Sequence, residues 1–148
     1  MLENSPKVHL VSVIPPLDVV LRLSGPIFNS GHYMTADNWF TSIDLVKALK
    51  DKKLSYIGTI RKNKKEIPPC FVKSKGKEVH SSLFGFSKNC TLVSYVPKKG
   101  KNVLLVSSMH FDDTIDADTG DEKMTVIITF YNDTKCSVDA LDKDVWNL

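Results

Sequence analysis

Three consecutive segments constrain this chain most. His32–Ala36 is a short β-prone run, Leu54–Ile60 is a second, and a helix with its own start signal lies between them. Thr41-Ser42-Ile43-Asp44 has the Thr-x-x-acid form of a capping box, with Asp in place of Glu. The helix it opens carries Ile43, Val46 and Leu49 on one face, with Leu45 beside them. Strand, helix and strand at this spacing predict a parallel β-α-β unit, because parallel neighbours need a crossover rather than a tight hairpin. Upstream, the β-branched run Lys7–Ile14 predicts a strand. Pro15-Pro16 then opens a short helix from Leu17 to Leu23, and Ser24-Gly25-Pro26 ends it.

After Pro68-Pro69 the period changes. Leu83–Phe86, Thr91–Val96 and Val103–Ser107 predict short strands, and Pro97–Lys101 a hairpin loop between the last two. Thr125–Tyr131, rich in β-branched residues, predicts another strand. Asn132-Asp133 can then cap a helix striped by Val138, Leu141 and Val145. The expected organisation is therefore a divergent segment with one strand (1–16), a partial α/β core (17–62), a small β-rich insertion (63–124), and a return to the core (125–148).

At 148 residues with 42% hydrophobic and 25% charged side chains, one globular domain or one domain with an insertion is expected. No apolar run approaches the ~20 residues that span a bilayer, so no membrane partner is expected. Cys70, Cys90 and Cys136 are dispersed and odd in number, which suits reduced thiols in an intracellular protein. Neither they nor the four scattered histidines give zinc spacing.

The residues that could carry chemistry are acidic. Asp37 stands where the His32–Ala36 run ends, and Asp139 and Asp142 lie on a later helical segment, three apart and on neighbouring faces. Carboxylates from separate elements that converge at a sheet edge can hold divalent metals for phosphoryl transfer. Taken singly, an Asp before a capped helix is a common turn residue, and an Asp pair on a helix is a common solvated face. Trp39 and Phe40 are expected to be core anchors without chemistry. The acidic stretch Asp112–Glu122 fails the calcium-loop pattern, since Gly120 falls one place early and Ile127 stands where Glu is needed. Basic residues gather between 50 and 77, including Arg61, Lys62, Lys64 and Lys65; this suits either a polyanion contact or a lysine-rich solvated surface. There is no Gly-rich phosphate loop and no G-x-S-x-G.

Four blocks in order resemble the piggyBac-type transposases. Ala36-Asp37-Asn38-Trp39-Phe40-Thr41-Ser42 resembles the surroundings of their second catalytic Asp. Gly58-Thr59-Ile60-Arg61-Lys62-Asn63-Lys64-Lys65-Glu66-Ile67-Pro68 resembles the family's G-T-[IV]-R-x-N-[KR]-x-E-[IL]-P. Leu92–Tyr95 and Leu104–His110 are similar to its insertion-domain strands, and Tyr131–Asp142 to the segment bearing the third Asp. The likeness extends from about Val19 to Asp142. It implies a partial RNase H-like (DDE transposase) core interrupted by a β-rich insertion, with Asp37, Asp139 and Asp142 as Mg²⁺ ligands. It also implies DNA as partner, with Arg61, Lys62, Lys64 and Lys65 as contacts, and strand cleavage and transfer at TTAA sites. A nuclear location and self-association are further expectations of the family.

The sequence departs from that pattern in three places. The family's first Asp belongs to a first strand, whereas the only Asp among the 36 residues before Asp37 is Asp18, at a helix start. Cys136-Ser137 replace the glycines before the third Asp, and Lys143 replaces a Gln. The segment is therefore expected to be a truncated transposase core, not catalytically competent alone. The alternative is a domesticated, non-catalytic DNA-binding or protein-interaction module.

Overall fold

The computed structural model of the protein describes residues 16–36 and 38–134. Lys7–Ile14, Asp37, Asp139 and Asp142, and the helix expected around Val138, Leu141 and Val145, lie outside the described residues.

Helix α1 (Pro16–Ser24) leads through a 3₁₀ turn (Gly25–Ile27) to strand β1 (Tyr33–Ala36). Helix α2 (Ile43–Asp51) crosses over to β2 (Ser55–Thr59). The two strands pair in parallel, with Tyr33 opposite Ser55 and Ala36 opposite Gly58, as the strand–helix–strand pattern predicts. A one-turn helix α3 (Pro69–Val72) precedes β3 (Ser82–Phe86), β4 (Thr91–Lys98) and β5 (Lys101–Ser107). These antiparallel strands do not form a separate sheet. β5 pairs with β2, Ile57 opposite Ser107, and the five strands run in the order β1-β2-β5-β4-β3.

Helices cover both faces, so β2 is buried on both sides. Tyr56 packs with Leu45, Val46 and Leu49 of α2, Val20 of α1 and Val106 of β5. Ile57 faces the other way, against Val93 and Leu105 and against Ile127, Ile128 and Tyr131. Each of the three α2 residues is withdrawn fully from water, and such burial stabilises by about 1.5–3 kcal/mol per side chain. A smaller cluster of Ile60, Ile67, Phe71 and Leu104 seats α3 on the sheet.

Two local expectations are corrected. The Thr125–Tyr131 segment is not a strand: residues 126–134, here α4, are helical. Thr125 Oγ1 accepts a hydrogen bond from Ile128 N at 3.2 Å, so the helix starts there and not at Asn132-Asp133. Ile127, Ile128 and Tyr131 fall on one helical stripe, and their burial on the sheet outweighs the β preference of a β-branched run. At α2 the cap is Ser42, whose Oγ accepts from Leu45 N at 3.0 Å, and not Thr41. Thr41 is completely buried and its hydroxyl lies 2.6 Å from that of Tyr56, so it is committed to the sheet.

Candidate functional site

In an open α/β sheet, loops leaving the carboxyl ends of parallel strands build the sites. Here two such loops run side by side. The first follows Ala36 and carries Asn38, Trp39 and Phe40; the second follows Thr59 and carries Arg61, Lys62 and Asn63. Two tight packings hold them together. A Cβ on Gly58 would come within 2.5 Å of Ala36 O and 2.8 Å of Thr41 Oγ1, so only glycine allows the first loop to lie this close to β2. The ladder then continues past β2, with Ile60 N donating to Leu104 O at 3.0 Å, which fixes where the second loop departs.

Trp39 is not a core anchor. It is 57% exposed, with the Arg61 guanidinium over its ring, 4.9 Å from the centroid. Phe40, by contrast, is half-buried against the core of α1 and α2. An arginine stacked on an indole keeps its N–H groups free at the edge while losing much of its conformational freedom. Beside the pair opens a cleft of about 560 Å³, lined by Asn38, Thr59, Arg61, Lys62, Asn63 and Asn102 among others. Its polar lining is amide and cationic, a chemistry suited to phosphate and to base edges. Lys62 and Lys65 are exposed, and Arg61 and Lys64 are half-buried. Sequence reasoning missed the Trp39–Arg61 pair and Asn102, because residues so far apart in the chain meet only through strand register.

The acidic candidates Asp37, Asp139 and Asp142 lie outside the described residues. Thr35 Oγ1 donates to Thr134 Oγ1 at 3.2 Å, tying β1 to α4. Thr35 stands two residues before Asp37 in the sequence and Thr134 five before Asp139. Asp18 lies exposed in the first turn of α1, not on a strand. Among the described residues no group of three His, Cys, Asp or Glu side chains could hold a metal ion. Asp112 and Asp116 in the acidic stretch accept instead from the backbone N–H groups of Thr114 and Asp118. The hydrogen bonds from Thr114 hold the Asp112 carboxyl below its usual range.

His110 sits apart from the cleft, past the end of β5. Its Nδ1 lies 2.8 Å from Ser107 Oγ, and its ring meets Phe130 edge-on at 5.3 Å. Burial lowers its pKa, with Asp112 pulling weakly the other way.

A family of DDE transposases described as transposase IS4 matches residues 4–145. A piggyBac transposase solved by cryo-electron microscopy in a synaptic complex with hairpin DNA superimposes with a TM-score of 0.79 at 41% identity, over 89% of this chain. The chain belongs to the piggyBac transposase family. It is DDE-type and transposase-derived, and its mixed α/β architecture is that of the piggyBac protein. It spans 28% of the length of that piggyBac transposase. Among the described residues no helix is long and apolar enough to cross a membrane.

Proposed function

We propose that this piggyBac-family segment is part of an RNase H-like transposase core that binds DNA at the carboxyl ends of β1 and β2. The observation that carries the reading is the juxtaposition there of the Trp39–Arg61 pair and the amide-lined cleft, with Asn38 of the loop after β1 in its wall. The 41%-identical relative was solved with hairpin DNA, which favours DNA as the polyanion. Asp37, Asp139 and Asp142 would be the metal-holding groups, since an all-carboxylate set is the oxygen donor chemistry that suits Mg²⁺. Bound there, Mg²⁺ would supply an activated water and stabilise the leaving oxygen of strand cleavage. Arg61, Lys62, Lys64 and Lys65 would neutralise and orient the phosphates on either side of the scissile bond. TTAA targets, assembly with further copies and a nuclear location complete the proposal.

The only Asp before Asp37 in the sequence is Asp18, and it lies on α1 and not on a strand. The segment alone is therefore proposed to bind DNA and Mn²⁺ weakly and not to cut. Manganese titration followed by electron paramagnetic resonance, beside a cleavage assay on TTAA-flanked duplex, tests this. The expected result is Mn²⁺ binding that weakens in Asp37→Asn and in Asp139→Asn, without strand breaks. Binding indifferent to both substitutions removes the acidic assignment; turnover abolished by Asp37→Asn removes the claim of incompetence.

A further inference from the structure

From Arg61 to Phe111 the chain carries eleven basic side chains and two acidic ones, Glu66 and Glu78, although the whole chain has a net charge of only +3. Ten of the eleven, all but Lys88 in the β3–β4 turn, fall in three short runs: 61–65, 73–77 and 98–101. The fold brings these runs together. Residues 98–101 are the tip of the β4–β5 hairpin, turned at Lys99-Gly100 with Gly100 at φ 77°. Since β5 is antiparallel to β2, that tip projects from the same end of the sheet as the loop after β2. The 73–77 run is fastened to it, with Ser74 Oγ donating to Gly100 O at 3.2 Å. Asn102 Nδ2 secures the preceding α3 by donating to Phe71 O at 2.8 Å. Asn102 also lines the cleft shared with Arg61 and Lys62, so the basic runs are continuous with it.

The cations are available. Lys73, Lys75, Lys98, Lys99 and Lys101 are exposed, and among the described residues none of them is in an ion pair. Lys77 alone is engaged, donating to Cys70 O. Lys98 and Lys101 face each other directly across the β4–β5 ladder, an arrangement of like charges that works against hairpin stability. The hairpin tip lies two strand spacings, about 10 Å, to the side of β2 and four residues, about 13 Å, beyond its end, so the ridge prolongs the cleft sideways and outward by several phosphates.

We propose that the β4–β5 hairpin tip and the 73–77 loop form a second docking surface for the phosphate backbone of duplex DNA, continuous with the Arg61 loop. This rests on the reading of the cleft as a DNA site. The surface would hold the duplex to one side of the strand ends, through charge and without base recognition.

The test is fluorescence anisotropy of a labelled 30-base-pair duplex with the full chain, across a salt series. Each lost phosphate contact lowers the slope of log K against log salt by about 0.9. The triple variant Lys98→Gln, Lys99→Gln, Lys101→Gln should therefore lose about 2–3 in slope and weaken binding at least about tenfold near 0.15 M salt. Its melting temperature should be unchanged or higher, since a like-charge pair has been removed, and the Lys→Arg triple should keep the wild-type slope. If the Gln triple keeps the wild-type slope while Arg61→Gln lowers it, the ridge is wrong and the cleft reading stands. If the unmodified chain does not bind the duplex, both fall. Equal affinity and slope on single-stranded RNA of the same length would overturn duplex DNA as the partner.

Discussion

The hydroxyls of Thr41 and Tyr56 lie 2.6 Å apart in an interior where both residues are fully withdrawn from solvent. Thr41 ends the loop that begins at Asp37, and Tyr56 stands on the strand whose far end releases the Arg61 loop. The contact therefore sets how the two loops of the cleft sit relative to one another. Tyr56→Phe deletes the hydroxyl and removes this hydrogen bond from Thr41, which should cost about 0.5–1.5 kcal/mol. Thermal denaturation of the single variants and of Thr41→Val with Tyr56→Phe checks this; a double variant no more destabilised than either single would show that the pair acts as a unit.

Gly58→Ala should be worse. Its Cβ would stand 2.5 Å from a backbone oxygen of β1 and 2.8 Å from Thr41 Oγ1, and backbone cannot turn aside as a flexible side chain can. The two parallel strands would have to separate at the site end, for a loss on the order of 1–3 kcal/mol or more. Urea denaturation measures it. A stability within ~0.5 kcal/mol of wild type, the range of neutral surface changes, would show that the strands give way easily.

How much of this was legible in the residues depended on range. The β1–α2–β2 crossover was readable because its apolar stripe, polar cap and strand runs are local, and β3, β4 and β5 for the same reason. α4 was misread because Thr125–Tyr131 is β-branched, and only packing on Ile57 and Leu105 shows that Ile127, Ile128 and Tyr131 form a helical stripe. Trp39 was misread as core because an aromatic beside a strand is usually buried; its place over Arg61 follows from a register between strands that composition does not encode. Asp37, Asp139 and Asp142 stand out in the sequence by position and by family resemblance, and they lie outside the described residues.

Thr125 offers a direct test of the revised α4. As the residue whose hydroxyl accepts from Ile128 N, it satisfies one of the open donors of the first turn. Thr125→Ala should destabilise by about 0.5–2 kcal/mol, while Thr125→Ser or Thr125→Asp should retain most of the stability. A strand would respond in the reverse order, since Ser and Asp are poorer strand residues than Thr. Chemical denaturation of the three variants separates the two.

His110 makes stability depend on pH near neutrality. Burial lowers its pKa below the ordinary 6.5, so the folded state favours the neutral ring and the unfolded chain binds the proton more readily. The stabilisation is full above about 6.5 and is lost as pH falls through that value toward the folded-state pKa. Asp112 is also depressed, but a carboxylate titrates in a lower range and leaves this window to the histidine. The melting temperature should therefore fall between pH 7.5 and pH 5.5, and His110→Gln should flatten that part of the profile. A wild-type profile that rises on acidification would contradict the assignment of a neutral, half-buried ring.

Trp39 should matter to DNA through Arg61. The guanidinium lies 4.9 Å from the indole centroid, a separation at which the ring attracts the cation and limits its excursions. Removing the ring leaves the charge in place but frees it, so a phosphate contact would have to pay the ordering entropy that Trp39 now spares. Trp39→Ala should weaken duplex binding about 3–10-fold, an effect on the order of 0.5–1 kcal/mol for an exposed cation–π pair with some added side-chain entropy. Trp39→Phe, which keeps a weaker aromatic face, should fall between wild type and alanine. Because the cation itself remains, the salt dependence should change little in Trp39→Ala, whereas Arg61→Gln should lower its slope by about 0.9. If Trp39→Ala and Arg61→Gln lower the slope equally, the indole contributes more than orientation; if Trp39→Ala leaves affinity untouched, the pair has no part in binding.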